Sequence, residues 1–263
     1  MKKKSPLVSI IMNCHNGEKF LEKSLKSVIN QTYKNWELIF WDNNSHDDSK
    51  KIFKKFIDKR FHYYKSKRLL NLYHAKKLAV KYAKGEFISF LDVDDLWIKK
   101  KLEYQVRFFL KNKDCQILYS NFYIKNENKK KIYKQFREGT LPKGFITKEL
   151  LKNYKVGILT IMFSKKILKY VNFKSIYNII GDFDFIIRAS LKFKIGCIQK
   201  PLAYYRVHGE NFSNKKINLH VVELKNWISQ NKKLVKKLSI SLFSIRKLII
   251  KLRVKSYLKL LGV

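Results

Sequence analysis

The sequence predicts an α/β fold with a mostly parallel sheet flanked by helices, followed by a basic helical tail. In its N-terminal part, short apolar segments alternate with segments of helical periodicity, which is the pattern of β-α-β units with right-handed crossovers. One short segment, Phe87–Leu91, stops abruptly at a group of acids. Residues 225–263 contain no Asp or Glu. We therefore expect one α/β domain over residues 5–213 and a basic helical tail over residues 214–263.

Four strands are predicted in the first half of the chain because each segment is short and rich in β-branched and aromatic residues. They are Val8–Met12, Trp36–Trp41, Phe61–Tyr64 and Phe87–Leu91. The helices between them are indicated by apolar residues at helical spacing. The first contains Leu21, Leu25 and Val28, the second contains Ile52, Phe53, Phe56 and Ile57, and the third covers residues 72–84.

In the second half, an amphipathic helix is expected over residues 99–112 and a strand over residues 116–119. A polar turn at residues 126–131 precedes an apolar, strand-like segment at residues 156–163. Ser164 is placed to cap a short helix after that segment. A helix beginning at Asp182 and a final strand and loop over residues 201–209 complete the predicted domain.

Composition and charge narrow the class of protein. The chain has 263 residues, enough for a sizeable core, and 46% apolar with 14% aromatic residues indicates a packed globular protein. Lys and Arg number 58 against 20 acids, a net charge of +38. Such an excess suits nucleic acid, an anionic membrane or phosphorylated substrates. Because lysines occur in every segment, the charge alone does not choose among these partners.

The cysteines and the apolar segments bear on the compartment. Cys14, Cys115 and Cys197 lie far apart without C-x-x-C spacing, so neither a disulfide framework nor a zinc site is indicated. The apolar segment Leu7–Met12 is too short for a signal peptide, and no segment reaches the ~18 apolar residues of a membrane span. We expect a cytoplasmic protein, either soluble or peripheral on the cytoplasmic face of the inner membrane.

Three carboxylates, Asp92, Asp94 and Asp95, follow the predicted strand that ends at Leu91. Ligands of open α/β sheets bind at the carboxyl ends of the strands, which makes these acids candidates for a site. Acids this close repel one another unless a cation lies among them, and their oxygens suit Mg²⁺ or Mn²⁺. The alternative is that Asp94 and Asp95 cap a helix beginning near Trp97.

Several common nucleotide and hydrolase motifs are missing from the sequence. No G-x-G-x-x-G follows the first strand, and neither a G-x-x-x-x-G-K-[ST] loop nor a G-x-S-x-G elbow occurs. Dinucleotide binding, a P-loop and an α/β-hydrolase nucleophile therefore have no support.

Four segments in consistent order, within residues 6–110, resemble the family-2 glycosyltransferases of the GT-A fold. They are Leu7-Val-Ser-Ile-Ile-Met with Asn16-Gly17, Ser27-Val-Ile-Asn-Gln-Thr-Tyr33, Trp41-Asp-Asn-Asn-Ser-His-Asp-Asp-Ser49 and Gly85-Glu-Phe-Ile-Ser-Phe-Leu-Asp-Val-Asp-Asp95. The resemblance implies a metal-dependent enzyme that uses Mn²⁺ or Mg²⁺. Such an enzyme transfers a hexose-type sugar from a nucleotide-sugar, most often a UDP-sugar, to a hydroxyl of a glycan or lipid-linked glycan, with inversion. Cell-surface polysaccharide or lipopolysaccharide synthesis is the expected setting.

The resemblance also assigns the donor site. Asn13, His15, Asp42 and Asn43 occupy the loops that hold the base and ribose in that family. Lys76 stands where many relatives carry an Arg that faces the nucleotide, and Lys offers charge without the bidentate fork.

The metal and the diphosphate are assigned in the same way. The resemblance gives Asp94 to ribose and metal, and Asp95 to metal. Arg206 and His208 match the family's Tyr-Arg-x-His segment, which packs beside the site. Arg206 is thus expected at the nucleotide-sugar and His208 at the metal, although a lone His is also often only hydrogen-bonded.

The segment Ile180-Gly-Asp-Phe-Asp-Phe-Ile-Ile-Arg-Ala189 resembles the place where the family carries its catalytic base. Asp182 matches that base, and Gly181 replaces the usual Glu. An acceptor hydroxyl needs a carboxylate to take its proton during attack. The alternative from local sequence is that Asp182 and Asp184 only open a helix.

The tail allows two interpretations. Leu238, Leu242, Ile245, Ile249 and Leu252 repeat at helical spacing, while Lys247, Lys251, Lys255 and Lys259 form a like-charged ladder. The segment is either a basic amphipathic helix on an anionic membrane surface or a helix docked on the domain with its lysines in water.

Two rival functions remain open at this point. A nucleotidyltransferase would require a Gly-rich phosphate loop after the first strand, which residues 13–19 lack. A basic nucleic-acid-binding protein would interleave aromatic with basic residues on a stacking module, whereas the aromatics here lie mostly in core-like segments. We therefore expect no nucleic-acid partner. The sequence does not indicate an oligomeric state.

Overall fold

The structure, a computed structural model, describes residues 5–260. Residues 261–263 of the predicted tail lie outside the described residues. Nine strands form one sheet within residues 5–260. They are β1 (Val8–Cys14), β2 (Trp36–Asp42), β3 (Phe61–Lys65), β4 (Phe87–Phe90), β5 (Leu96–Trp97), β6 (Ile117–Asn126), β7 (Lys131–Lys134), β8 (Met162–Ser164) and β9 (Ile195–Val207). The strand order is β3-β2-β1-β4-β8-β6-β9-β5, and β7 pairs with β6.

The described residues also form ten α-helices. They are α1 (Glu18–Ile29), α2 (Ser49–Lys54), α3 (Leu72–Val80), α4 (Lys101–Lys111), α5 (Thr147–Lys152), α6 (Gly181–Ser190), α7 (Phe212–Lys215), α8 (Ile217–Gln230), α9 (Lys232–Lys237) and α10 (Phe243–Leu260). The α/β prediction is confirmed.

The sheet is mixed, and its two halves differ in strand direction. β1 pairs in parallel with β2 and β4, and β2 pairs in parallel with β3. β8 is antiparallel to both β4 and β6, and β5 is antiparallel to β9. The predicted β-α-β alternation therefore describes the first half of the chain, whereas the second half adds antiparallel strands.

The core lies on both faces of the sheet. Successive residues of a strand point to opposite faces, and in β1 Ile10 and Met12 join one buried cluster while Ile11 joins the other. Every residue of β1 and β2 is buried. Gly85 fits beside β1 because a Cβ at this position would lie 2.6 Å from the backbone nitrogen of Ser9. The segments quoted as strands are thus apolar because both of their faces are covered.

Some predicted elements differ from the structure. The helix expected to begin near Trp97 begins at Lys101, because Leu96 and Trp97 pair with β9 instead. Ile57 is fully exposed, beyond the end of α2. The strand-like segment at residues 156–163 contains a 3-10 turn at Ile158–Thr160 before β8. The Ser164 cap is confirmed, since its hydroxyl accepts a hydrogen bond from the Lys166 backbone N–H.

One set of apolar residues in the predicted tail packs against the rest of the protein. In α8, Val221, Leu224 and Trp227 are buried, and in α10 Ile245 and Ile249 are buried against α8 and α5. These contacts support the docked-helix interpretation for this apolar face. The domain boundary at residue 214 stays a prediction. Helix α8, which lies beyond it, packs against the rest of the protein. Among residues 5–260, no helix combines the length and the hydropathy needed to cross a bilayer.

Candidate active site

The loop of residues 92–95, here called the acidic loop, follows β4. β4 lies between β1 and β8 in the sheet. The Leu91 backbone N–H donates to the Ile11 carbonyl at 3.0 Å, which fixes the start of the loop. Beyond it, Asp92 accepts a hydrogen bond from the Nζ of Lys76 at 2.5 Å. Lys76 is buried, and the Asp92 side chain keeps 27% of its exposure. Lys76 thus lies at the predicted site and pairs with its first carboxylate.

Asp95 lies inside the protein. Its side chain is 2% exposed, and its Oδ1 accepts a hydrogen bond from the Arg206 backbone N–H at 3.0 Å. Burial, followed by the neighbouring Asp94 and Asp92 carboxylates, raises the pKa of Asp95 well above its ordinary value. In this position Asp95 joins the acidic loop to β9.

Arg206 holds the acidic loop through buried hydrogen bonds. It is 2% exposed, and its guanidinium donates to the carbonyls of Asp94, Phe20 and Val93. Burial lowers its pKa, and Asp95 and Asp94 act in the opposite direction. Nε and Nη2 of the guanidinium are thus engaged by protein groups, and the nucleotide-sugar contact that the sequence predicts for Arg206 stays a prediction.

Asp94 is the acid that meets the predicted histidine. His208 Nε2 lies 3.2 Å from Asp94 Oδ2, and the His208 ring stacks on Phe20 at 4.1 Å between centroids. Asn211, which the sequence analysis did not single out, donates from Nδ2 to Asp94 Oδ2 at 3.2 Å. Within residues 5–260, no group of three or more His, Cys, Asp or Glu side chains is arranged to hold a metal ion. The carboxylate of Asp94 and the imidazole of His208 are thus the pair that the structure brings together at this loop.

The four residues predicted to hold base and ribose lie together at the ends of β1 and β2. Asp42 is fully buried and accepts hydrogen bonds from the Ser45 backbone N–H and the Tyr63 hydroxyl. The Asn43 side-chain amide donates to the Leu70 carbonyl and accepts from the Leu70 backbone N–H. The backbone carbonyl of Asn43 lies 3.1 Å from His15 Nδ1. Asp42 and Asn43 thus shape the loops.

The other two of the four keep polar groups available. His15 is exposed. The amide nitrogen and oxygen of buried Asn13 have no hydrogen-bond partner among the described residues. These two are the better candidates for direct contact with a ligand.

Asp182 lies in the first turn of α6, across a cavity from the acidic loop. The cavity has a volume of about 340 Å³, and Asp92, Asp94, Asp95 and Asp182 contribute to its lining. Burial raises the pKa of Asp182 to about 6, against hydrogen bonds from the Phe183 backbone N–H and the Tyr73 side chain that lower it. A carboxyl group with this pKa is ionised at neutral pH and is still a competent proton acceptor.

Two residues that the sequence analysis did not identify contact the segment just before Asp182. Glu223 of α8 is buried, and its carboxylate accepts hydrogen bonds from the backbone N–H groups of residues 178, 179 and 180, at 2.7, 3.0 and 3.1 Å. Tyr73 packs over Gly181, where a Cβ would lie 2.2 Å from the ring. Tyr73 thus occupies the space that a side chain at position 181 would need.

Asp184 is a structural residue. It is fully buried and pairs with Arg188 at 2.6 Å and Lys174 at 3.3 Å, and it accepts a hydrogen bond from Trp227 Nε1. The structure therefore separates the two acids of α6, since Asp184 anchors the helix and Asp182 faces the cavity.

Comparison with known proteins identifies relatives. Residues 9–190 match the model of the family described as Glycosyl transferase family 2. UDP-Glc:alpha-D-GlcNAc-diphosphoundecaprenol beta-1,3-glucosyltransferase WfgD of Escherichia coli is 37% identical over 172 residues, which cover 65% of this chain and 66% of WfgD. The uncharacterized glycosyltransferase MJ1057 of Methanocaldococcus jannaschii is 33% identical over 211 residues, covering 77% and 71% of the two chains.

Solved structures show the same fold. The crystal structure of S. aureus TarS in complex with UDP-GlcNAc superposes with a TM-score of 0.67 and 21% identity, covering 83% of this chain and 66% of that one. The mannosyltransferase PcManGT from Pyrobaculum calidifontis, in complex with GDP-Man and Mn²⁺, superposes with a TM-score of 0.63 and 14% identity, covering 86% of this chain and 65% of PcManGT. The matched region thus spans about two thirds of most of these relatives.

Proposed function

The chain belongs to glycosyl transferase family 2, and from this premise we propose that it transfers a sugar from a nucleotide-sugar to a hydroxyl of a glycan or lipid-linked glycan. The observation that carries the proposal is the cavity that joins Asp182 to the acidic loop. The relatives support a UDP-sugar as donor, since TarS binds UDP-GlcNAc and WfgD is named for UDP-Glc. WfgD is also named for a diphosphoundecaprenol-linked acceptor, which supports a lipid-linked glycan here. The setting that we propose is cell-surface polysaccharide synthesis at the cytoplasmic face of the membrane.

In the proposed reaction, Asp182 takes the proton of the acceptor hydroxyl as the oxygen attacks the anomeric carbon of the donor. The bond from that carbon to the diphosphate oxygen breaks, and the nucleoside diphosphate leaves with the electron pair. A single displacement inverts the anomeric centre. The pKa of about 6 suits Asp182 to this task, because most of the carboxyl is ionised at neutral pH.

The residues that fit a divalent cation are Asp94 and His208, whose ligating atoms lie 3.2 Å apart. Carboxylate and imidazole together suit Mn²⁺ at least as well as Mg²⁺, and phosphate oxygens of a donor would complete the coordination. A bound cation would neutralise charge on the leaving diphosphate. Asp95 is buried against Arg206, so we give Asp95 the role of holding the loop that presents Asp94.

The remaining assignments follow from exposure. Asn13 and His15 would contact the base and ribose, while Asp42 and Asn43 hold the loops around them. Lys76 would orient Asp92 and add positive charge near the diphosphate. These roles rest on position and hydrogen bonding in the described residues.

A peripheral position on an anionic membrane is part of the proposal, and the structure changes which residues would make the contact. Phe243, Ile250, Val254 and Tyr257 form an exposed apolar stripe along α10, each more than half exposed. Their spacing places them on one side of the helix, opposite the docked face. Exposed Arg246 and Arg253 lie along one edge of this stripe and exposed Lys247 along the other, an arrangement that suits acidic headgroups.

A panel of UDP-, GDP- and dTDP-sugars tests the proposed function, with Mn²⁺, with Mg²⁺ and with EDTA. Binding is measured by calorimetry and slow donor hydrolysis by release of the nucleoside diphosphate. We expect one or more UDP-sugars to bind and to be hydrolysed faster with Mn²⁺ than with EDTA. Failure to bind any nucleotide-sugar, together with salt-sensitive retention of nucleic acid, would instead support the nucleic-acid-binding alternative.

A further inference from the structure

A second cavity lies on the other side of Asp182. It has a volume of about 590 Å³ and opens between α5, α6, α8 and α10. Asp182 and Ile179 belong to the walls of both cavities. Asp182 therefore borders two cavities, one beside the acidic loop and the other beside α10.

We propose that this second cavity receives the acceptor, and that the acceptor is an amphiphile whose apolar chain is joined to the glycan through phosphate. The inference rests on the proposed function, because it assumes that Asp182 is the base. The base must reach the acceptor hydroxyl, and the oxygen of that hydroxyl must reach the anomeric carbon of a donor in the first cavity. The acceptor therefore has to extend to the wall that the two cavities share, and Asp182 is the charged side chain of that wall.

The walls of the cavity are mainly apolar. Leu150, Phe183, Leu224 and Ile245 line it, and each is buried in the fold. Ligand pockets with apolar walls and few polar groups favour ligands that carry apolar surface. A free oligosaccharide offers little such surface, whereas a lipid chain next to the glycan does.

The charges around the cavity suit an anion. Lys152 at the end of α5 and Lys247 on α10 line it, and both are exposed enough to reach a ligand. Asp182 is the one acid among the described residues of the lining. Burial lowers the pKa of His220 to about 4, so this wall residue is neutral and can form hydrogen bonds without adding charge. Two lysines without a facing carboxylate at the rim form a fitting site for phosphate oxygens.

Tyr154 supplies a polar group close to Asp182. Its hydroxyl is buried and has no hydrogen-bond partner among the described residues, although the ring packs edge-on against Phe183 at 5.1 Å. Buried hydroxyl groups are normally paired. A sugar hydroxyl that enters this cavity would pair with Tyr154 within reach of the Asp182 carboxylate.

The test measures binding of three probes to the full chain by calorimetry. The probes are geranylgeranyl diphosphate below its micelle concentration, the uncharged alcohol geranylgeraniol, and inorganic diphosphate. We expect geranylgeranyl diphosphate to bind more tightly than the other two. Lys152→Ala and Lys247→Ala should each weaken its binding about 10-fold, the effect of one lost charge-assisted hydrogen bond.

Matched controls separate the cavity from general surface charge. Lys148→Ala on α5 and Arg253→Ala on α10 remove the same charge from exposed positions outside the lining, and they should change probe binding less than twofold. Arg253 also lies beside the exposed apolar stripe, so it reports adsorption there. Ser244→Trp, at an exposed lining position, should block the probe by filling the cavity, with the melting temperature confirming that the variant folds.

Three outcomes would overturn the inference. The first is a parent protein that hydrolyses UDP-sugars but does not bind geranylgeranyl diphosphate. The second is an equal loss of binding in the control variants. The third is inorganic diphosphate binding as tightly as the lipid. Absence of donor hydrolysis in the parent would instead contradict the proposed function, so the two failures are distinguishable.

Discussion

Glu223→Gln tests how the C-terminal helices support the site. The Glu223 carboxylate accepts three backbone hydrogen bonds from residues 178–180, just before the helix that carries Asp182. Glutamine has nearly the same shape but keeps a single acceptor oxygen. Its NH₂ group would face at least one backbone N–H, leaving that donor unpaired in a buried place.

The expected loss of stability follows from these contacts. Hydrogen bonds to a charged group contribute about 1.5–3 kcal/mol each, and leaving a buried donor unpaired has a similar cost. We expect Glu223→Gln to lower the free energy of unfolding by about 3 kcal/mol. With an unfolding entropy of about 2.1 cal/mol/K per residue over 263 residues, this corresponds to a melting temperature lower by about 5 °C.

Scanning calorimetry at pH 7 measures this change, and Glu149→Gln is the control because Glu149 is exposed on α5. Below the melting range, turnover should fall more than donor affinity, since the displaced segment leads into Asp182. A melting temperature within 1 °C of the parent, with unchanged turnover, would show that Glu223 of α8 does not position Asp182.

Three further predictions concern pH, metal and membrane. Transfer should rise with pH and reach half its maximum near pH 6, because Asp182 must be ionised to accept a proton, and a pH-rate profile that is flat between pH 5 and 7 would contradict this. Asp94→Asn should abolish the effect of Mn²⁺ on donor affinity, whereas Asp95→Asn should largely keep this effect, since Asp95 is buried against β9. Calorimetry of UDP binding with and without Mn²⁺ measures the effect. If Asp95→Asn abolished it and Asp94→Asn kept it, Asp95 would be the ligand. The double change Ile250→Ser and Val254→Ser should weaken sedimentation with vesicles containing phosphatidylglycerol at an unchanged melting temperature, and equal sedimentation would leave the stripe without a membrane role.

The sequence predicted the fold class and family because the strands and their polar ends are local features. Buried strands read as continuous apolar segments, and the acids after β4 follow directly in the chain. The family prediction is confirmed by the match over residues 9–190. The assignment of individual residues within the site stays a prediction.

What the sequence could not give depends on contacts between distant parts of the chain. Nothing local distinguishes the buried Asp95 from the partly exposed Asp94, because the difference comes from β9, 111 residues further on. Glu223 looks like an ordinary helical residue until α8 packs against the segment before Asp182. The one local sign of such a contact was Gly181 in place of the family's Glu. The Tyr73 ring occupies the space that a side chain at position 181 would need.

The same limit applies to the tail. Helical spacing identified one apolar face, which docks on α8 and α5. The second stripe on α10 stands out only when exposure is known, since two apolar faces on opposite sides of one helix cancel each other in a simple periodicity. Docking and membrane contact are therefore compatible in this chain.

Asp182→Asn separates the two roles open to this acid, which are the base of a glycosyl transfer and the start of a helix. Its pKa of about 6 lies above the ordinary 3.8, so the ionised carboxyl destabilises the fold by at most about 3 kcal/mol above pH 6, a cost that vanishes below pH 4. Asparagine removes this cost, so the variant should melt at or above the parent temperature at pH 7 with nearly unchanged UDP-sugar affinity. Turnover should fall by about 10²–10⁴-fold. A variant that melts early at pH 7 yet transfers sugar at nearly the parent rate would show that Asp182 only begins the helix.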